Sequence, residues 1–453
     1  MEFLPKDVLY TANRMSNYQR NRFRLETVSA ETASANRIVT VNLPEGSCVL
    51  DMRSFAFHFN AHTTRLDHTD VAEHIQPLLP ADASSLISRV EVYVNGVQIQ
   101  GALSEYDTAT KLLNIGRSNR DREMSVKRAL AHGAISSAND VDSVSIVMSD
   151  WLGFLGESTP RYLSTDLVGQ IQVRITFAGN HVLSAKKIGV PAGSANITTE
   201  GLTLSPQMKY TIDNMFFTID SVSISDDYTA LLRQRLQSEE YISIFYPEYY
   251  SFSMENINGS SHTTRFSLSV TSLDRIFATF RDSNYNTTGI PCHRSDYGTF
   301  AENLIENAHR FQAFNDSNLK AGSLRYHFTI NNVRYPQYSA SGLDALFELA
   351  LTHDKIHDTS NGNLVTSLNE FYDSKFCIPL TLCHPTAPKG SQTGYNSKGI
   401  NSQLTLSVSG QTMPTAGPGG GASQATDKIA SYILCETTAE LRCKLGRNCG
   451  VVF

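Results

Sequence analysis

Arg89-Val90-Glu91-Val92-Tyr93-Val94-Asn95-Gly96-Val97 and Arg325-Tyr326-His327-Phe328-Thr329-Ile330-Asn331-Asn332-Val333 are two renderings of one pattern. In each, an arginine leads into three apolar residues at every second position, a pair built on Asn follows, and a valine restarts the chain. Side chains alternate between the two faces of a strand, so Val90, Val92 and Val94, or Tyr326, Phe328 and Ile330, line one face. Asn-Gly and Asn-Asn tolerate the positive φ that a two-residue hairpin turn demands. Both stretches therefore read as strand, tight turn, strand. They lie 331 − 95 = 236 residues apart in a chain of 453, which points to a duplicated β domain.

The same period of two recurs on both sides of these hairpins. Phe55, Phe57 and Phe59 alternate with Ala56 and His58, and Ile171, Val173, Ile175 and Phe177 alternate with Gln172, Arg174 and Thr176. The second half repeats the habit in Phe266, Leu268 and Val270, in Leu404, Leu406 and Val408, and in Ala439, Leu441, Cys443 and Leu445. Such patterns are expected of antiparallel sheets with one buried face. The Ile171 strand pairs by pattern with the Leu404 strand, and 404 − 171 = 233 lies close to the hairpin offset.

Helical period occurs only in short pieces. Tyr106, Ala109, Leu112 and Leu113 share a face after the first hairpin; after the second, Ser341 is placed to cap a helix carrying Leu343, Leu346, Phe347, Ala350 and Leu351. A mid-chain helix is expected after Asp226-Asp227, whose acids suit the positive end of the helix dipole. Further helical stretches are read at about Phe300 to Phe311 and Leu364 to Tyr372. Pro414 to Ser423 is a Gly-rich loop; no Lys-Ser/Thr follows it and strands flank it, which argues against a phosphate loop.

Composition narrows the function classes. A chain of this length suits two domains. Lys+Arg 38 against Asp+Glu 44 gives a formal net charge of −6, so no overall basic field exists to hold nucleic acid by its phosphates, and no sequence-specific nucleic acid partner is expected. The start of the chain has no apolar core of signal-peptide length, and no run reaches a membrane span. Seven cysteines, an odd set without a CxxC pair, are read as reduced thiols. The Asn-x-Ser/Thr matches at Asn196, Asn258 and Asn286 matter only on a secretory route and are read as chance.

No catalytic constellation emerges. The nucleophile-elbow, Walker and dinucleotide-binding patterns are missing. His353 and His357 have the spacing of a helical zinc pair, but Asp354 stands where a metalloprotease needs the longer Glu, so no metal site is expected. Glu239-Glu240, read as strand neighbours, would point to opposite faces and not converge on a glycosidic bond. The tetrapeptide His-Thr-Thr-Arg at 62–65 and 262–265 has an offset of 262 − 62 = 200, out of step with the strands, and is read as coincidence. The chain is thus expected to be structural rather than an enzyme, with no cofactor.

The chain resembles the double jelly-roll major capsid proteins of icosahedral double-stranded DNA viruses, in look nearest to the polinton-like virus and virophage branch. The resemblance rests on Val90 to Gln100 with its central Tyr-Val-Asn-Gly, on Ile330-Asn331-Asn332-Val333-Arg334-Tyr335-Pro336-Gln337, on Ser272 to Phe280, and on Tyr210 to Asp220. It implies an all-β fold of two tandem eight-stranded antiparallel jelly rolls with a few short helices in loops. Under that reading residues 1–30 form an inward-facing arm, 31–224 the first roll and 225–453 the second, opening with a connector helix at about 225–238. The implied role is self-assembly into homotrimeric, pseudo-hexameric capsomers that tile a virion shell beside penton and minor capsid proteins. Lys6, Arg14, Arg20, Arg22 and Arg24 make the arm basic, and an inner contact is expected through them. The alternatives are a viral spike or carbohydrate-binding β-sandwich, and, more remotely, a glycosidase on a β scaffold.

Overall fold

A computed structural model describes residues 19–28, 31–46, 48–65, 75–80, 83–115, 144–187, 208–223, 226–257, 261–282, 311, 324–352, 371, 375–384, 392–398, 403–410, 429–444 and 446–453. The first half contributes eight principal strands: β1 (Gln19–Glu26), β2 (Ile38–Asn42), β3 (Val49–Arg65), β4 (Ile87–Val94), β5 (Val97–Gln100), β6 (Val144–Met148), β7 (Ile171–Phe177) and β8 (Met208–Ser223). The second half contributes eight more: β9 (Ile242–Ile257), β10 (Ser261–Ser267), β11 (Leu273–Asp282), β12 (Arg325–Ile330), β13 (Val333–Ser341), β14 (Ile378–Thr381), β15 (Gln403–Ser409) and β16 (Ile429–Lys444).

Sheet order shows the duplication more completely than the sequence does. The first half forms antiparallel sheets β1-β8-β3-β6 and β2-β7-β4-β5; the second forms β9-β16-β11-β14 and β10-β15-β12-β13. Adding eight to every strand of the first pair of sheets yields the second pair. All eight strands therefore have a counterpart, whereas pattern matching in the sequence aligned only two. Short strands decorate this frame: Ala33–Ser34 on β8, Tyr162–Ser164 on β3, Ile75–Leu78 against Ser184–Lys187, and Asn448–Val452 on β16.

The two hairpins that opened the reading occupy equivalent places, β4-β5 and β12-β13. Asn95 and Gly96 have φ of 49° and 80°, and Asn331 and Asn332 have 46° and 67°, the left-handed pair of a type I′ turn. Each roll buries an aromatic core between its sheets. In the first, Phe57 stacks on Phe217 at 4.5 Å and reaches Phe177 of the opposite sheet at 6.2 Å; in the second, Phe252 meets Phe266 at 5.3 Å. Trp151 is buried and donates from Nε1 to the Phe55 carbonyl at 2.9 Å, so the lone tryptophan belongs to the core.

Three of the described helices sit where the sequence placed them, and two short ones, at 154–157 and 165–168, are additions. In chain order the helices are α1 (Tyr106–Leu113), α2 (Phe154–Glu157), α3 (Thr165–Val168), α4 (Asp226–Glu239) and α5 (Gly342–Thr352). Both the hairpin turns and the helices after them are offset by 236, since 331 − 95 and 342 − 106 agree. Ser341 caps α5 in a reciprocal box: its Oγ accepts from Asp344 N at 3.3 Å, and Asp344 Oδ2 accepts from Ser341 N at 2.7 Å. Helix α4 runs between the last strand of the first roll and the first strand of the second.

Two expectations change and a third stands. Gln19–Glu26 is a strand of the first roll, paired with β8 from Gln19↔Ser223 to Glu26↔Phe216, so β structure begins well ahead of residue 31. The reason is that an edge strand needs only backbone pairing on one side, and its side chains need not alternate in polarity. Glu239 and Glu240 are not strand neighbours: the first ends α4 and the second has φ 63°. The two His-Thr-Thr-Arg copies lie on β3 and β10, which are not counterparts, in keeping with coincidence. His353 and His357, the stretches 300–310 and 364–370, and the Gly-rich loop lie outside the described residues.

Candidate functional site

Among the described residues the fold arranges two extended surfaces. The first is the seam between the rolls. β9 lies against the first roll, and Ile244, Tyr246, Glu248 and Tyr249 are all buried. Tyr246 donates to the Ile99 carbonyl at 2.7 Å, its ring edge-on to Phe154 at 5.3 Å, and Tyr249 donates to Glu157 Oε2 at 2.9 Å. Thr159 and Phe245 exchange backbone hydrogen bonds of 2.7 and 2.9 Å, and Asn95 of the hairpin turn donates to the Arg447 carbonyl at 2.8 Å.

Two charged residues are sunk into this seam. Glu248 Oε1 accepts from Gly101 N and Ala102 N, each at 3.2 Å, while Oε2 is buried with no hydrogen-bond partner among the described residues. Burial pushes its carboxyl up to about 8, against the pull of the two backbone donors. Arg281, 1% exposed, donates from Nη1 to Thr108 Oγ1 at 2.8 Å, pairs through Nη2 with Glu105, and lies over the Tyr432 ring at 5.2 Å. Strands β11 and β16 of the second roll thus cover the start of α1, in which Asp107 and Thr108 are buried.

The second surface is the outward face of β1-β8-β3. Register puts Arg24 opposite Thr218 and Thr218 opposite Ala56, while Leu25 faces Phe217 and Phe57 on the core side. Arg20, Arg22 and Arg24 therefore share the outer face. Arg20 and Arg22 both pair with Asp220, Arg22 Nε at 2.8 Å. Burial works to raise the Asp220 carboxyl, but the two guanidiniums overcome it and hold the group below its ordinary value. Arg24 pairs with Glu26 at 2.7 Å and covers the Phe216 ring at 4.2 Å, which stacks in turn on His58 at 4.5 Å. Of the five basic residues singled out in the sequence, these three converge on one face; Lys6 and Arg14 lie outside the described residues. Asp220, Glu248 and Arg281 were not singled out, since their partners are distant in sequence.

Among the described residues no three His, Cys, Asp or Glu side chains gather as a metal would require. The described cysteines are free, with Cys443 and Cys449 facing each other at 3.1 Å between sulfurs on paired strands.

No protein-family model matches the chain, and no curated protein matches it in sequence. Solved structures do match. A quasi-atomic model of the PBCV-1 virus capsid aligns over 97% of this chain and 98% of that one, with a TM-score of 0.64 and 13% identity. The fold is a double jelly roll. A PBCV-1 crystal structure fitted into a reconstruction of the virophage Sputnik aligns over the same shares, 97% and 98%, with a TM-score of 0.63 and 14% identity. The Faustovirus major capsid protein aligns over 95% and 91%, with 0.50 and 9%. At these identities the double jelly roll itself is what is shared, over nearly the whole length of each chain.

Proposed function

We propose that this chain is a major capsid protein that assembles into homotrimeric, pseudo-hexameric capsomers and, through them, into an icosahedral virion shell. The observation that carries the reading is the strand-for-strand repeat of two eight-stranded rolls, matched over nearly its full length to capsid proteins. Six similar rolls, two from each of three chains, would give a near-sixfold outline suited to tiling. The role is one of contact surfaces, in the range of about 1,000 Å² and more for a stable interface, and needs neither cofactor nor catalytic group. Partners would be neighbouring capsomers together with penton and minor capsid proteins, and the site of action the virion.

Residues ahead of Gln19, with Lys6 and Arg14, would make the inward contact. Removing residues 1–18 is expected to impair closed particles, and normal particles from that deletion would contradict the arm's role. For the main reading, light scattering after size exclusion is expected to give 3 × 50.0 = 150 kDa, with a hexagonal outline in negative stain. A 50.0 kDa species at every concentration would overturn it.

A further inference from the structure

The second roll ends by folding back on itself. One side of β16 is taken by β9 from Ile429 to Cys443; on the other, β11 stops at Thr437, and Asn448–Val452 fills the places from Glu440 to Lys444. The turn of this last hairpin reaches the first roll. Asn95 Nδ2 donates to the Arg447 and Val168 carbonyls, each at 2.8 Å, and the Arg447 guanidinium lies 3.7 Å from Asp166 of α3. The hold is weak. An ion pair with Arg447 46% exposed contributes little, and a five-residue strand near the end of the sequence, paired along one side among the described residues, opens at small cost.

Cys443 and Cys449 stand directly opposite each other in this pair of strands, with their sulfurs 3.1 Å apart. Opposed residues on antiparallel strands share a face and have Cα atoms about 4.5 to 5.5 Å apart, inside the window of about 4.4 to 6.8 Å that a disulfide spans. A bond between them therefore needs no shift of either strand. The two thiols differ in access. Cys443 is buried, whereas Cys449 is half-buried, 3.9 Å from the Val168 carbonyl, and its thiol is held below the ordinary value by the hydrogen bond shared with Cys443. Cys377 and Cys435 lie in the core, where burial pushes their thiols up and leaves them inert.

We propose that Cys443 and Cys449 form a redox-responsive pair that closes to a disulfide by exchange with a small-molecule disulfide such as oxidised glutathione, locking the C-terminal hairpin onto the first roll. The Cys449 thiolate attacks one sulfur of the small disulfide and displaces the other as a thiolate, leaving a mixed disulfide. Cys443, its proton lost to solvent, then attacks the Cys449 sulfur and displaces the second small thiolate. Two protein thiols are oxidised by two electrons, one small disulfide is reduced, and the protons shed by the cysteines are taken up by the two thiolates released. Once bonded, Asn448–Val452 cannot peel from β16, and the turn carrying Arg447 stays against Asn95 and Asp166. The lock lies within one chain and does not depend on the self-assembly reading above.

The test compares the folded full-length chain before and after incubation with oxidised glutathione. Trypsin cuts after Arg442, Lys444 and Arg447, so mass spectrometry of an unreduced digest is expected to find Cys443-Lys444 bonded to the peptide from Asn448 to Phe453. Amide hydrogen exchange is expected to slow about tenfold or more over 448–452, and measurably in α3, and to recover on reduction with dithiothreitol. Cys449→Ser is expected to melt as the reduced parent does and to show no slowing with the oxidant; the parent's own oxidised and reduced forms give the answer even if that variant fails to fold. A folded chain whose Cys449 stays a free thiol, or stops at the mixed disulfide, would overturn the pair. A cross-link that leaves exchange over 448–452 and α3 unchanged would overturn the lock.

Discussion

Strands β1 and β9 hold the same place in their rolls, each at the edge of a sheet beside the strand that closes its roll, and yet they have opposite surroundings. β9 is rich in tyrosine and sunk against the first roll; β1 is rich in arginine and exposed. Helices α1 and α5 show the reverse, the first covered and the second open. Polarity follows the surroundings: the seam holds the buried carboxyl of Glu248 and Arg281 paired with Glu105, while β1 carries Arg20, Arg22 and Arg24 in solvent and α5 exposes Leu343 and Phe347.

That contrast is open to measurement. Arg281→Ala removes a buried guanidinium from Glu105 and Thr108, and is expected to destabilise the chain by about 3 kcal/mol or more in chemical denaturation. A loss below about 1 kcal/mol would mean that the seam does not depend on this pairing. Glu248 gives the seam a pH dependence. With its folded value at about 8, above the ordinary 4.5, the folded chain keeps a proton that the unfolded chain releases. Stability is therefore expected to fall as pH rises from about 4.5 to about 8, by up to about 1.4 kcal/mol per pH unit from this group, and to level off above. Glu248→Gln is expected to flatten that stretch of a melting profile, and an unchanged slope would assign it elsewhere.

Smaller effects are expected on the open side. Ser341→Ala removes the cap of α5 and is expected to cost about 1 kcal/mol, visible in the same denaturation. Arg24→Ala, at a side chain 63% exposed, is expected to change the stability of the isolated chain by about 0.5 kcal/mol or less. A larger loss would show that the arginine face serves the fold.

How much of this the sequence disclosed follows from where each element sits. The hairpins, their helices and the β7/β15 pair were legible because each alternates cleanly against a core, and because few insertions separate them. Other counterparts drift: β2 to β10 starts 261 − 38 = 223 residues apart and β8 to β16 429 − 208 = 221, so a fixed offset near 236 cannot find them. β1 escaped notice as a strand because Phe23 and Leu25, alternating with Arg22 and Arg24, make too short an apolar run to stand out among the arginines; its order comes from backbone pairing with β8. The seam was illegible for another reason. Glu248 finds its donors 147 and 146 residues away and Arg281 its hydroxyl 173 away, and no local pattern records partners that only the docking of two rolls brings together. Leu343 and Phe347 were assigned to the apolar face of α5, correctly as to helix, although the structure leaves both in solvent.

The most direct measurement is an electron cryo-microscopy map of the purified oligomer, detailed enough to count and trace its jelly rolls. The expected result is a closed ring of three copies whose six rolls give a near-sixfold outline. A monomer, or an oligomer of another symmetry, would contradict the claim that two like rolls in one chain serve a capsomer.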